Sequence, residues 1–233
     1  MARVLKKLWP APLLAGAVAF VMSVAPAQAA TWSSTDAFGT WSNGGYELNN
    51  DVWGGGAGPQ TIWANSYGNW GVWANHPDTG GIKSYPHVAR TVGTPVNSLS
   101  WVSSSFNVSV PGGGAYETAY DIWDSGYHNE IMLWMNKTGP VGPLGSYQGT
   151  VSVGGHTWSA YKGSNGSNAV FSLVRNGNTS AGAVDILAVL KWMEYSEGWF
   201  GNVNLGSVQF GYEITSSSGG MNFVSNSYSL GWG

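Results

Sequence analysis

The stretch that decides the fold is YETAYDIWDSGYHNEIMLWM, residues 116–135, in which two alternating runs flank the polar segment 124–128. Side chains alternate between the two faces of a strand, so this pattern predicts a β-hairpin with a short loop. One face of the second run is entirely apolar and is expected to meet a core: Ile131, Leu133 and Met135. Glu130 then faces the other way, beside Met132 and Trp134, which is an unusual setting for a carboxylate that only needs water.

The first run of the hairpin places a second acid near Glu130. One of its faces is formed by Glu117, Ala119, Asp121 and Trp123. A register with either Trp123 or Asp121 opposite Glu130 brings Asp121 close to it, because cross-strand partners share a face. A protonated Asp121 would donate a hydrogen bond to the Glu130 carboxylate and hold it ionised. An ordinary charge on a sheet surface is the alternative, and the sequence leaves both open.

A second glutamate belongs to another alternating run, residues 207–214. Its apolar positions predict a core face: Val208, Phe210, Tyr212 and Ile214. The other face carries Gln209, Gly211 and Glu213, and we expect the glycine to leave room for a ligand. Two carboxylates on the exposed face of an aromatic-rich sheet match the requirement of glycoside hydrolysis, in which one acts on the anomeric carbon and one on the leaving oxygen.

Alternation separated by Gly, Asn, Pro and Ser recurs along the chain and predicts an antiparallel sandwich. The predicted strands are 61–64, 70–74, 98–110, 117–123, 129–135, 150–153, 157–162, 169–174, 207–214 and 222–230. Apolar residues at helical spacing predict one helix over 184–196, packed outside a sheet, with Thr179 or Ser180 as cap. There is no cysteine, so the core must hold the fold without disulfides, and the 14 Trp and 11 Tyr supply apolar surface for it.

The first 29 residues predict a secretory signal peptide, with three basic residues, an apolar run and a small-residue cleavage site. Residues 30–233 then form a single exported domain, which we expect to be a monomer. It has six basic residues against twelve acidic ones, which disfavours nucleic acid and anionic membranes as partners. The four histidines show no metal-ligand spacing, and we expect neither a metal nor another cofactor.

The chain resembles glycoside hydrolase family 12, the compact endoglucanases and xyloglucanases. The matching segments are Ser84-Tyr85-Pro86, Tyr120-Asp121-Ile122-Trp123, NEIMLW at 129–134, GPVGPLGS at 139–146 and Gly211-Tyr212-Glu213. They run through nearly all of the predicted mature chain in the family's order. The resemblance implies an all-β jelly-roll sandwich of two antiparallel sheets, with a concave cleft for a β-1,4-glucan and one helix packed outside.

The resemblance also implies residue roles. Glu130 corresponds to the nucleophile, Glu213 to the acid/base and Asp121 to the acid that hydrogen-bonds to the nucleophile. Because the family retains anomeric configuration, the two carboxyl groups are expected about 5–5.5 Å apart. Trp53 resembles a sugar-stacking tryptophan, but one extra residue separates it from Asn50, which leaves open whether Asn50 reaches sugar. The remaining substrate-binding candidates are Trp134, Met132, Trp123 and Gln209, of which Met132 has packing under the site as its main alternative role.

Two other functions fit part of this pattern. A non-catalytic glucan-binding module would use the same aromatic groove without needing two carboxylates on facing strands. A xylanase similar to family 11 would share the jelly roll and both glutamates. The sequence does not distinguish cellulose, mixed-linkage glucan and xyloglucan as the preferred substrate, because the shape of the loops decides which chain fits.

Overall fold

The computed structural model describes residues 29–233, which form two sheets packed face to face; the predicted signal peptide lies outside this range except for residue 29. Strands are numbered in chain order. The six-stranded sheet has the order β1 Trp32–Ser34, β4 Gln60–Ala64, β5 Trp70–Ala74, β15 Met221–Trp232, β7 Val102–Ser109, β13 Ala181–Asp185. The nine-stranded sheet has the order β10 Ser146–Val153, β11 His156–Ser164, β12 Ala169–Arg175, β9 Asn129–Thr138, β8 Ala115–Asp124, β14 Asn204–Ser216, β6 His87–Pro95, β3 Tyr46–Asn49, β2 Thr40–Asn43.

The core lies between the sheets and is built largely from aromatic rings. The largest fully buried side chains are Trp70, Trp158, Tyr116, Tyr120, Tyr212, Phe171, Phe210 and Phe223. Each such ring removes about 150–250 Å² from water, which gives a chain without disulfides a large apolar contribution to stability. The apolar faces predicted for β9 and β14 belong to this core, so both strands have the predicted orientation.

Strand β8 lies between the strands that carry the two glutamates. On one side it pairs with β9, with Trp123 opposite Glu130, which is the first of the two registers expected. On the other side it pairs with β14, with Gln209 opposite Asp121 and Glu213 opposite Glu117. All these side chains therefore project from the face of the nine-stranded sheet that is turned away from the core.

One strand pair departs from the predicted antiparallel arrangement. β12 runs parallel to β9, with Ala169 level with Asn129 and Val170 level with Glu130. In a parallel pair both strands begin at the same edge of the sheet. The turn that precedes β12, residues 165–168, is therefore brought to the end of β9 where Glu130 lies.

The predicted helix is present but shorter than expected. Residues Ala181–Asp185 form β13, which pairs with β7, and the α-helix α1 spans Ile186–Lys191 before a π-helical turn at Trp192–Ser196. The cap is Asp185, whose side chain accepts a hydrogen bond from the backbone N–H of Ala188 at 2.9 Å, and not Thr179 or Ser180. The apolar face of the helix joins the main core.

Other boundaries also differ from the prediction. The expected strand 98–110 begins only at β7, because Val96–Ser98 forms a 3₁₀ turn. Five strands were not predicted: β1, β2, β3, β6 and β13. Within residues 29–233, no helix has the length and apolar character needed to cross a bilayer.

Candidate active site

A cavity of about 590 Å³ opens on the outer face of the nine-stranded sheet. Residues from β6, β14, β8, β9 and β12 line it, together with residues from the loop after β3 and the turn before β12. Eight predicted site residues contribute to its wall: Glu130, Glu213, Asp121, Trp53, Trp134, Met132, Trp123 and Gln209. The two glutamates thus share one cavity, as the proposed chemistry requires.

Asn50 is the predicted residue that does not line this cavity. Its side chain is fully buried, where Nδ2 donates to the Asp36 carbonyl at 2.7 Å and Oδ1 accepts from Gln60 Nε2 at 2.9 Å. The next residue, Asp51, adopts the left-handed region with φ of 45°. This turn keeps Asn50 inside and places Asp51 and Trp53 in the cavity wall, which corrects the expectation that Asn50 binds sugar.

Two amides from the turn before β12 orient Glu130. Its Oε2 accepts hydrogen bonds from Asn168 Nδ2 at 2.8 Å and from Asn165 Nδ2 at 3.3 Å. Burial raises the pKa of Glu130, the Asn168 hydrogen bond lowers it, and the charge of Glu213 raises it. Sequence reasoning missed both asparagines, because only the parallel pairing of β9 and β12 brings their turn to Glu130.

Asp121 is a buried acid beside Glu130, with 7% of its surface exposed. Burial and then the charge of Glu130 hold its pKa well above the usual range, which favours the neutral acid. Its Oδ2 accepts a hydrogen bond from Trp123 Nε1 at 2.8 Å, while Oδ1 is buried without a partner among the described residues. The surface-charge alternative is therefore wrong, and the expected hydrogen bond to Glu130 is not formed in this structure.

Glu213 has a neighbour that sequence reasoning did not select. Glu117, directly opposite on β8, is 1% exposed, and this register brings its carboxyl group beside that of Glu213. Burial raises the pKa of both acids; the hydrogen bond from Glu117 lowers that of Glu213. The alternation that places Asp121 on this face also places Glu117 there, four residues earlier. Glu117 could therefore have been identified from the sequence as a residue of the site.

Gly211 does not make room for a ligand, contrary to expectation. A Cβ atom at this position would lie 2.1 Å from the Pro86 carbonyl oxygen and 2.7 Å from the Cβ of His87. The glycine therefore permits β14 to approach the chain at the start of β6.

His87 and Asp51 complete one wall of the cavity. Burial lowers the pKa of His87 to about 4, and its Nδ1–H donates to the Tyr85 carbonyl at 2.7 Å. Burial raises the pKa of Asp51 to about 6, and its Oδ2 lies 3.9 Å from His87 Nδ1. Because the histidine loses its proton before the aspartic acid does, the two side chains do not form an ion pair. They present a neutral imidazole and a titratable carboxyl group to the cavity.

Further cavities extend the site in two directions. One of about 600 Å³ shares Asp51, His87, Tyr127 and Gln209 with the central cavity and continues over β3 and β6. Another of about 260 Å³ shares Trp134, Gly142 and Glu213, and Glu117 also lines it. The three form a cleft with the two glutamates near its middle. Within the described part of the chain, no cluster of three or more His, Asp or Glu side chains could hold a metal ion.

Comparison with known proteins gives consistent matches. Residues 7–231 match the family model described as glycosyl hydrolase family 12. The protein named "Probable xyloglucan-specific endo-beta-1,4-glucanase A" from Aspergillus fumigatus is 31% identical over 232 residues, covering 91% of this chain and 96% of the fungal one.

Two solved structures show the same fold. The xyloglucanase domain of NopAA, a type three effector from Sinorhizobium fredii, in complex with cellobiose, is 45% identical with a TM-score of 0.84, covering 87% of this chain and 99% of that one. The native family 12 xyloglucanase from Bacillus licheniformis is 28% identical with a TM-score of 0.78, covering 87% and 100%.

Proposed function

Because this chain belongs to glycosyl hydrolase family 12, and is therefore a glycoside hydrolase of the endoglucanase and xyloglucanase type, we propose that it cleaves internal β-1,4-glucosidic bonds by double displacement. Glu130 is the nucleophile and Glu213 the acid/base. The observation that carries this proposal is that both carboxyl groups line one cavity in different electrostatic surroundings.

The surroundings of the two glutamates differ, although burial raises the pKa of both. Glu130 accepts two amide hydrogen bonds on one oxygen, which stabilises its carboxylate, the form needed for attack. Glu213 is more deeply buried, and burial favours its neutral form, the form that donates a proton. Unequal environments of this kind separate the acid from the nucleophile in a pair of like residues.

The reaction then proceeds in two steps. Glu130 attacks the anomeric carbon while Glu213 transfers its proton to the departing glycosidic oxygen, giving a glycosyl-enzyme ester and a free chain end. Glu213, now a carboxylate, takes a proton from water as the water attacks the anomeric carbon and releases Glu130. This order requires the two carboxyl groups to be about 5–5.5 Å apart, which stays a prediction.

The proposed substrate is a β-1,4-glucan such as cellulose, mixed-linkage glucan or xyloglucan. Trp53 is 52% exposed at the cavity, as expected for a ring that stacks on a sugar face. Trp134 is 3% exposed and lines the same cavity, where its ring forms part of the apolar wall. The relatives named as xyloglucanases support xyloglucan as one substrate to test.

We also propose that the protein is exported and acts as a monomer. The signal-peptide pattern supports export. A glucan polymer too large to cross the cell envelope is a substrate that suits an exported hydrolase.

Variants at the two glutamates test the proposal. Glu130→Gln should abolish release of reducing ends from carboxymethyl cellulose, mixed-linkage glucan and xyloglucan while substrate binding persists. Glu213→Ala should lose polymer hydrolysis but keep glycosylation by an aryl glycoside whose leaving group needs no proton. The matched control is Glu197→Gln, an exposed glutamate at the end of the π-helical turn.

The same assays decide between the alternatives. Full activity of Glu130→Gln would remove Glu130 from the mechanism. Hydrolysis confined to xylan would favour a xylanase, and binding without hydrolysis by the unmodified protein would favour a glucan-binding module.

A further inference from the structure

Glu117 is a buried carboxyl group that the double displacement does not use. It is 1% exposed, lies directly opposite Glu213 in the β8–β14 register, and lines the smaller cavity on the side of Glu213 away from Asp51. Its Oε1 is buried without a partner among the described residues. A bare carboxylate in this position would be costly, because burial without hydrogen-bond donors strongly disfavours a charge. A neutral acid is expected instead.

Resting on the proposed function, we propose that Glu117 is a positioning residue for the acid/base: its protonated carboxyl group donates a hydrogen bond to Glu213 and keeps that residue able to alternate between acid and base.

The need for such a donor follows from the two half-reactions. Glu213 must be neutral in the first step and charged in the second. Burial alone favours the neutral form and would leave a poor base for the second step. A hydrogen bond from a neutral neighbour stabilises the carboxylate and brings the two forms closer in free energy.

Several other titratable and charged groups face the pair. Glu117 also faces Lys137, its partner on β9, whose charge lowers the pKa of Glu117 less than burial raises it. Glu130, Asp121 and Tyr85 face Glu213 across the central cavity, and Asp78 lines the smaller one. None of these side chains forms a hydrogen bond to Glu213 in the described structure, whereas Glu117 lies directly opposite it in the strand register and lowers its pKa.

Two substitutions separate hydrogen-bond donation from packing. Glu117→Gln keeps the shape and an N–H donor, whereas Glu117→Met keeps the approximate volume and removes the donor. In Glu117→Met the pKa of Glu213 should rise, so the alkaline limb of kcat/KM should move up by about 1 to 2 pH units. Hydrolysis of the glycosyl-enzyme should also slow at pH values below the raised pKa of Glu213, because less of Glu213 is then the carboxylate that activates water. Glu117→Gln should keep the limb within about 0.5 pH unit of the unmodified enzyme, since its amide replaces the lost donor.

Three outcomes would overturn the proposal. In Glu117→Met the alkaline limb of kcat/KM could stay where it is or move to lower pH. Alternatively, the limb could move equally in Glu117→Met and Glu117→Gln. If Glu117→Met does not fold, carbon-13 carboxyl NMR of the unmodified enzyme decides instead. Glu117 should stay protonated through the pH range in which Glu213 titrates, and titration of Glu117 first would refute the role. Undiminished polymer hydrolysis by Glu213→Ala would instead refute the proposed function, so the two failures are distinguishable.

Discussion

Replacement of Asn168 by alanine is the sharpest test of how the nucleophile is prepared. The substitution removes the 2.8 Å hydrogen bond to Glu130 Oε2 and leaves only the longer bond from Asn165. A hydrogen bond to an ionised group contributes about 1.5–3 kcal/mol, and the lower end applies because Glu130 is only partly buried and water screens it. At about 1.4 kcal/mol per pKa unit, the pKa of Glu130 should rise by about one unit.

The sign follows from the charge of the form that attacks. Glu130 must be a carboxylate, so a raised pKa removes the active form from the acidic end of the range. The acid limb of kcat/KM on a soluble β-glucan should therefore move about one unit to higher pH. Asn168→Asp should shift it further, because it replaces a donor by a second negative charge.

Ser167→Ala, an exposed change in the same turn, is the matched control and should leave the pH profile unchanged. An acid limb in Asn168→Ala that coincides with that of the unmodified enzyme would refute the idea that this amide stabilises the nucleophile.

Three further changes test other parts of the site. Trp53→Ala should lower kcat/KM on cello-oligosaccharides about tenfold, mainly through KM, because a stacking face is lost; an unchanged KM would exclude Trp53 from sugar binding. Gly211→Ala should lower the free energy of unfolding by about 1–3 kcal/mol in urea titrations, because the new Cβ meets the Pro86 carbonyl; a neutral effect would contradict the close packing. Asp121→Asn should become more stable relative to the unmodified protein as pH rises. Because the native pKa is raised, the aspartic acid releases its proton in the unfolded state first as pH rises. The stability difference between variant and unmodified protein should therefore grow by about 1.4 kcal/mol per pH unit from about pH 4 up to the native pKa. A pH-independent difference would refute the raised native pKa.

The parts of the fold that could be predicted were those in which one strand face is purely apolar. Ile131, Leu133 and Met135 could only face a core, and this fixed the direction of Glu130. The same argument oriented Glu213 through Phe210 and Tyr212. β6, which reads HVARTVGTP, has no such clean face, and it was missed.

The errors have a common physical cause, which is contact between residues distant in sequence. Ala181–Asp185 is a strand because β7 lies beside it, although its neighbours continue at helical spacing. Asn165 and Asn168 reach Glu130 only through a parallel pair that local patterns do not reveal. Asn50 does not line the cavity because the chain turns at Asp51, which has a left-handed conformation, and Asp51 and Trp53 line the wall instead.

The position of β15 has a consequence for biosynthesis. This strand, residues 221–232, is the last to leave the ribosome among the described elements, yet it pairs with both β5 and β7 in the interior of its sheet. Until it arrives, those two strands present open edges and the sandwich cannot close. Folding that waits for such long-range pairing is slow. For the export proposed above, such a delay would be an advantage, because an unfolded chain is the form that passes through a translocation pore.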